Sequence, residues 1–276
     1  MLLDGLKIDK FYCTIFLNYI IKMMKSKYIH TGKCIWCGKS FPDVSFNTEP
    51  HIIPHSLGGT EIGYDVCDDC NHYFGTATKG VPSIDLSFKE IFNAFKTFGA
   101  QLNENTYQNF SSVFFEYWHK KQVIRIKRNF NQIAITKQFK RSLYEIFLQK
   151  YHYETKNGNH PMFNMVREYA RYGLGSPRVY YVFNNIILVP DEKSLLKLPM
   201  SEDIIDDMLK TGVYSFWLLG HCFYLEVLPI AFNANGNKYL QKEAGKMLIP
   251  AVGNERIFEF SDVMQIDFLM QRFNSK

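Results

Sequence analysis

The feature that most constrains this chain is a repeated Cys-x-x-Cys motif, whose two copies are separated by residues 38–66. Each copy can place two thiolates beside one zinc ion, and together they supply the four soft ligands of a tetrahedral site. Six cysteines in 276 residues are too few for a disulfide scaffold, so we predict a structural zinc that replaces the core so short a segment cannot build. The predicted ligands are Cys34, Cys37, Cys67 and Cys70. The two other cysteines are predicted to be small buried hydrophobes: Cys13 and Cys222.

The composition excludes a disordered or fibrous chain. Hydrophobic residues make up 46% and charged residues 21% of the sequence, and there is no glycine-rich or heptad bias. The formal charge of +5 at pH 7 permits a nucleic-acid partner without requiring one. The distribution of the charge is therefore more informative than its sum.

Near the N-terminus, residues 11–24 form an apolar run that Asn18 and Lys22 interrupt. The run is shorter than the roughly 20 residues needed to span a bilayer, and it lacks a small-residue cleavage site. We interpret residues 1–26 as a helical extension, or as upstream sequence read through before a start at Met23 or Met24. We expect a cytoplasmic protein without a membrane partner.

The pattern changes after residue 80 from turn-rich to periodic. This predicts an α+β protein with a small zinc-stabilised domain at 27–80 and a larger α+β domain of unassigned topology at 81–276, with a DNA-binding or regulatory role. Alternating residues at 122–139, around a turn at 129–131, indicate a β-hairpin. Helices are predicted at 86–99, 141–153, 161–172, 238–246 and 261–273, and strands at 179–189, 213–219 and 222–227.

Several short motifs lie between and after the cysteines in a fixed order. They are HIIP at 51–54, the turn LGG at 57–59, and Asn71 directly after the last cysteine, followed by YFG at 73–75. In this combination the sequence resembles the HNH endonuclease family, also called His-Me finger or ββα-metal nucleases, in its four-cysteine zinc-bound form. The resemblance covers about residues 30–80. It implies a hairpin and a helix that zinc clamps together.

The resemblance also implies phosphodiester hydrolysis by a histidine base and a divalent cation. His51, at the end of the first hairpin strand, would be the general base that activates water, a task suited to a side chain whose usual pKa is about 6.5. Asn71, at the start of the following helix, would be a ligand of the catalytic ion. Oxygen donors of this kind suit Mg²⁺ or a similar ion, separate from the structural zinc.

One position departs from the family pattern. The family usually has Asp or Glu directly before the base histidine as a metal ligand, and this chain has Pro50 there. Glu49 is the nearest acid, and positions 49 and 51 of an extended segment share a face, so Glu49 is the candidate replacement. Two alternatives stay open: loss of metal binding, or a metal held by the asparagine together with His55 or His72.

Two further residues have more than one interpretation. Asp65 could orient the base histidine, or it could be a turn or helix-cap carboxylate. His55 could contact phosphate or metal, or it could be a solvated loop histidine.

The segment 119–141 contains eight Lys or Arg residues and no Asp or Glu. On the predicted hairpin they would form one positive face for nucleic acid, where phosphate contacts give affinity and salt dependence without base specificity. A solvated strand face is the alternative. The residues are Lys120, Lys121, Arg125, Lys127, Arg128, Lys137, Lys140 and Arg141.

The sequence therefore predicts a metal-dependent HNH endonuclease that cleaves nucleic acid, with DNA favoured. A homodimer is one way for a chain with a single small active site to cut both strands. Two other functions stay open. One is a non-catalytic zinc-finger module that binds nucleic acid, and the other is a nuclease gated by a ligand-sensing C-terminal domain in a defence system.

Overall fold

A computed structural model describes residues 28–99, 112–118, 120, 123–183, 196–218, 221–246 and 257–266. It combines helices with antiparallel sheets, which confirms the predicted α+β class. The helices are α1 (Asp68–Gly75), α2 (Ile84–Gly99), α3 (Gln132–Thr155), α4 (Asn164–Arg167, continued as a π-helix over Glu168–Tyr172), α5 (Glu202–Thr211), α6 (Pro229–Ala231) and α7 (Asn237–Lys246). The strands are β1 (Phe115–Trp118), β2 (Val123–Ile126), β3 (Val179–Phe183), β4 (Leu196–Lys197), β5 (Val213–Leu218), β6 (His221–Glu226) and β7 (Phe258–Glu259).

The segment between the cysteine motifs forms a minimal antiparallel hairpin before α1. Its two arms are joined by backbone hydrogen bonds from Ile52 N to Glu61 O at 3.1 Å and from Gly63 N to Pro50 O at 2.6 Å. The connection requires a glycine at position 59, since a Cβ there would lie 2.1 Å from the carbonyl oxygen of Ile53. This hairpin and α1 are the ββα elements that the sequence predicted.

Helix α3 is the central helix of the described residues, and its position corrects one prediction. The predicted hairpin at 122–139 is wrong in its second arm, because residues from Gln132 onward are helical. Asn131 begins the helix, its side chain accepting a hydrogen bond from Ala134 N at 3.1 Å. Ile133 is 84% exposed whereas Ile135 is fully buried, so the apparent alternation belongs to a helix. The first arm, β2, pairs instead with the preceding strand β1.

The larger sheet is antiparallel and has the strand order β4-β5-β6-β3-β7. It packs on α3 through aromatic contacts, with Phe139 5.8 Å from Phe223 and Phe147 4.9 Å from Tyr214 between ring centroids. One continuous cluster of buried side chains extends from Ile35, beside the cysteines, through α3 to this sheet. The boundary predicted at residue 80 stays a prediction, and the core crosses it.

Most other predicted elements are confirmed. Helices lie at 86–99, 141–153, 161–172 and 238–246, and strands lie at 213–218, 221–226 and in the described part of 179–189. Cys222 is buried as predicted. The helix predicted at 261–273 is wrong where the chain is described, since a single 3-10 turn over Val263–Gln265 stands there.

Some predictions concern residues that the structure does not describe. The helical extension at 1–26, Cys13 and Lys121 all lie outside the described residues. Among the helices that are described, none is both long enough and apolar enough to cross a membrane.

Candidate active site and metal centre

The four predicted zinc ligands meet at one point. The sulfur atoms of Cys34, Cys37, Cys67 and Cys70 all lie within 4.8 Å of one another. The Cys37 and Cys67 sulfurs are 3.7 Å apart, close to the separation of about 3.8 Å that four Zn–S bonds of about 2.3 Å give in a tetrahedron. The donor set is entirely thiol and mostly buried, which fits a closed structural zinc site.

Local backbone geometry shapes both cysteine motifs. Gly38 has φ +71°, and its N–H donates to Cys34 O at 2.9 Å, which turns the chain back after the first motif. The second motif begins α1, with Cys67 as the N-cap. A hydrogen bond to the Cys34 thiol is the main cause that lowers the pKa of Cys37 to about 7.

Residues distant in sequence also contact the cysteine cluster and the helix that carries part of it. Burial lowers the pKa of Arg171, in the π-helix after α4, but interaction with the neighbouring Cys70 sulfur raises it above its ordinary value. The Cζ of Arg171 lies 3.6 Å from the Tyr73 ring centroid. Arg141 donates to the Tyr73 hydroxyl at 2.7 Å. These contacts could not be predicted from the motifs, because neither arginine lies near them in the sequence.

The predicted base, His51, occupies the first arm of the hairpin opposite Ile62. Its side chain is exposed, so solvent and substrate can reach the imidazole. His55 begins a 3-10 turn over His55–Leu57, and its ring centroid is 6.4 Å from that of His51. Gly58, with φ +92°, ends this turn. The two imidazoles therefore lie on the same exposed part of the hairpin.

Asn71 is connected to the loop that leads into His51. Its side-chain Nδ2 donates to Thr48 Oγ1 at 3.0 Å, three residues before the histidine. The neighbouring His72 is exposed and contacts Thr76, with Nε2 3.2 Å from Thr76 Oγ1. The helix thus presents the asparagine toward the hairpin and the histidine toward its own C-terminal end.

The same loop is anchored by a residue that the sequence analysis did not identify. Asp68, the first residue of α1, accepts hydrogen bonds from Ser45 Oγ at 2.5 Å, from Asn47 N at 2.7 Å and from Thr48 N and Oγ1 at 2.8 and 2.9 Å. Burial opposes ionisation, but these bonds lower the pKa of Asp68 to about 2. The sequence feature that could have identified Asp68 is its position, two residues before the helical cysteine Cys70.

Glu49 is exposed and accepts a hydrogen bond from the Tyr28 hydroxyl. Within the described part of the chain, the four cysteines are the one group of three or more His, Cys, Asp or Glu side chains placed to share an ion. Glu49, His51 and His55 do not form such a group. The carboxylate of Glu49 nevertheless offers an oxygen donor that suits a hard cation. The role of Glu49 as the replacement acid stays a prediction.

Of the two roles that the sequence allowed for Asp65, the structure shows that of a turn carboxylate. Asp65 is fully buried and has φ +54°. Its carboxylate accepts hydrogen bonds from the Thr31 and Gly32 N–H groups at 2.7 and 2.9 Å, and it lies 2.8 Å from His152 Nε2. Burial alone would raise the pKa of Asp65, but the bonds from His152 and Thr31 lower it. The residue ties a turn to α3, which corrects the prediction that it orients His51.

The basic residues of 119–141 do not form one face. Lys137, Lys140 and Arg141 belong to α3 rather than to a hairpin, and Arg141 is buried. Lys127 is half-buried and donates to Ser112 O. The predicted single positive face is therefore wrong. The residues of the set that the structure shows exposed are Lys120, Arg125, Arg128 and Lys137.

Comparison with known protein families matches residues 34–80 to the family described as HNH endonuclease. The matched segment contains both cysteine motifs, the hairpin with His51, and α1 with Asn71. Comparison with curated proteins and with solved structures yields no match.

Proposed function

We propose that this chain, whose residues 34–80 form an HNH endonuclease domain, hydrolyses phosphodiester bonds in nucleic acid, with DNA as the favoured substrate. One observation carries the proposal. The family's histidine and asparagine lie on a hairpin and a helix that share the cysteine cluster, and the asparagine is hydrogen-bonded to the loop preceding the histidine.

In this proposal His51 is the general base. Its exposed imidazole accepts a proton from a water molecule as that water attacks phosphorus. His55, on the same exposed part of the hairpin, is placed to contact a phosphate oxygen. The zinc site holds the hairpin and α1 in their relative positions and takes no part in the proton transfer.

A divalent ion such as Mg²⁺, when bound, would offset the negative charge that develops on the phosphate and the leaving oxygen. The residues that would hold it are Asn71, through its amide oxygen, and Glu49. Hard oxygen donors fit such an ion, which keeps several waters and takes few protein ligands. Glu49 can supply the carboxylate oxygen that Tyr28 does not engage.

The exposed basic residues Lys120, Arg125, Arg128 and Lys137 are proposed to contact the phosphate backbone. Such contacts are independent of sequence. Arg125 is held by a cation–π contact, with its Cζ 3.2 Å from the Trp118 ring centroid, which keeps the guanidinium in a defined position.

Plasmid nicking tests the proposal. The zinc-loaded wild type should nick supercoiled DNA with Mg²⁺ and stop when EDTA is added, with zinc content measured before and after. His51→Ala should lower the nicking rate by a factor of about 100 or more. Thr60→Ala, a change at an exposed residue of the hairpin connection, is the matched control and should cleave like the wild type.

One outcome would favour the second candidate, a non-catalytic zinc-finger module that binds nucleic acid. Pro50 at the usual acid position and the engagement of Glu49 by Tyr28 are the observations that support this candidate. A wild type that retains zinc and binds DNA or RNA, but cleaves neither with any divalent ion, would replace the nuclease proposal with this one.

A further inference from the structure

The directions of the hydrogen bonds at the Thr48 hydroxyl determine which way the Asn71 amide faces. A threonine hydroxyl has one hydrogen to donate and can accept through its lone pairs. The Thr48 hydroxyl donates that hydrogen to Asp68 Oδ1 at 2.9 Å. It must therefore accept from its other neighbour, and the donor is Asn71 Nδ2 at 3.0 Å.

Asp68 can play this part because it is held as a carboxylate acceptor. All its side-chain contacts with the loop are with donors, namely Ser45 Oγ, Asn47 N, Asn47 Nδ2, Thr48 N and Thr48 Oγ1. An ionised carboxylate has no hydrogen to donate. The Thr48 hydroxyl consequently cannot turn around and accept from Asp68.

With Nδ2 committed to Thr48, the remaining polar atom of the Asn71 side chain is Oδ1. This is the one side-chain atom of asparagine that can bind a cation, because the NH₂ group only donates. If the amide were flipped, it would present NH₂ where the proposed function needs an oxygen. The orientation thus matters to metal binding and not only to the stability of the loop.

We propose that Asp68, acting through the Thr48 hydroxyl, is a positioning residue that fixes the Asn71 amide so that Oδ1 is the atom left for a divalent cation. This inference rests on the proposed function, in which Asn71 is the metal ligand. Mutation of a residue that orients a metal ligand without binding the metal itself typically lowers metal affinity or activity by a factor of about 10 to 100.

Mn²⁺ binding to the full-length, zinc-loaded chain tests the inference independently of cleavage. Free Mn²⁺ is followed by electron paramagnetic resonance during titration of wild type, Thr48→Val, Thr48→Ser, Asp68→Asn and Asn71→Ala. We expect Thr48→Val and Asp68→Asn to weaken Mn²⁺ binding by about tenfold or more. Thr48→Ser, which keeps the hydroxyl, should restore most of the affinity.

Zinc content and melting temperature of each variant separate loss of positioning from loss of fold. Thr60→Val, the same substitution at an exposed threonine outside the site, is the matched control and should bind Mn²⁺ like the wild type. If Thr48→Ser binds as weakly as Thr48→Val, the hydroxyl is not the cause and the inference is overturned.

The remaining outcomes distinguish the inference from the function on which it rests. If Asn71→Ala loses Mn²⁺ while Thr48→Val and Asp68→Asn bind it like the wild type, then Asn71 is a ligand but is not positioned in this way. If Asn71→Ala also binds like the wild type, or if the wild type binds no Mn²⁺, then the proposed metal site itself fails and the inference fails with it.

Discussion

At the scale of single residues, two aspartates on either side of Cys67 hold the site together by accepting hydrogen bonds from different loops. Asp65 binds the turn at 30–32 and faces His152 of α3. Asp68 binds the loop at 45–48. The segment around the second cysteine motif is therefore fixed by carboxylates as well as by the proposed zinc. Removal of either carboxylate should therefore lower the stability of the protein even when all four cysteines are intact.

Asp65→Asn is expected to destabilise the protein by about 1–3 kcal/mol or more, because it turns an NH₂ group toward donors such as Thr31 N and leaves buried hydrogen-bond donors without an acceptor. Asparagine tolerates the left-handed backbone at φ +54°, so the substitution tests the carboxylate rather than the backbone. Urea unfolding followed by tryptophan fluorescence measures the change.

The control for this substitution is Asp69→Asn, at an exposed aspartate four residues away. It should change the free energy of unfolding by less than about 0.5 kcal/mol. Equal stability of the two variants would contradict the structural role assigned to Asp65.

At the scale of elements, α1 and its N-cap bring two cysteines of the cluster close in sequence to the asparagine that the proposed function uses. Cys67 is the N-cap of the helix and Cys70 belongs to the cysteine cluster, while Cys70 and Phe74 share the buried face of the helix. Asn71, one position after Cys70, lies on the side toward Thr48. The spacing of the motif is therefore the spacing of a helix whose neighbouring faces carry two cysteines of the cluster and the proposed ligand of the catalytic ion.

The contact between α2 and α3 contains a carboxyl pair, the half-buried Asp85 and the buried Glu145. Burial raises the pKa of Asp85 to about 6, and burial together with the nearby Asp85 charge raises that of Glu145. A carboxyl group whose pKa is higher in the folded than in the unfolded state stabilises the protein at low pH. That stabilisation is lost as the pH rises through the pKa of the folded state. Between pH 5 and 7.5, ionisation of Asp85 alone should lower the free energy of unfolding of the wild type by about 1–2 kcal/mol.

Asp85→Asn should remove this loss, since the amide cannot ionise. The difference in free energy of unfolding between the variant and the wild type should therefore shift in favour of the variant between pH 5 and 7.5. Urea unfolding at several pH values measures the difference, and Asp43→Asn, at an exposed loop residue, is the control. A difference that stays constant with pH would contradict the pairing.

The sequence predicted the zinc cluster and the ββα segment because a local motif determines them. It failed at 132–139, where two isoleucines two residues apart imitate a strand although Asn131 and the later Phe139 and Leu143 belong to a helix. It also missed Arg171, whose contact with Tyr73 spans a long stretch of chain. Contacts between distant segments leave no periodicity to read, so they emerge only from the folded structure.

At the scale of the whole molecule, α3 contacts the segment that matches the HNH endonuclease family at several points. Lys150 pairs with Glu61 of the hairpin at 2.6 Å, His152 faces Asp65, and Arg141 binds Tyr73. The buried core is continuous from the cysteines to the large sheet. The C-terminal segment is therefore part of the framework that positions the proposed site.

The proposed DNA contacts make a prediction at this scale. Arg125→Gln combined with Arg128→Gln should weaken DNA binding and lower the slope of log K against log salt concentration by up to about 2, since each phosphate contact contributes about 0.9. Fluorescence anisotropy at several salt concentrations measures the slope. Lys238→Gln with Lys242→Gln removes the same charge from exposed positions of α7, and an equal slope for the two double variants would contradict the proposed contact.

The proposed function depends on proton transfer by the imidazole of His51, and chemical rescue is the sharpest test of that role. His51→Gly, at unchanged zinc content, should lose Mg²⁺-dependent nicking, and added imidazole should restore part of the rate in proportion to its concentration. A His51→Gly protein that nicks plasmid at the wild-type rate without imidazole would show that His51 is not the general base.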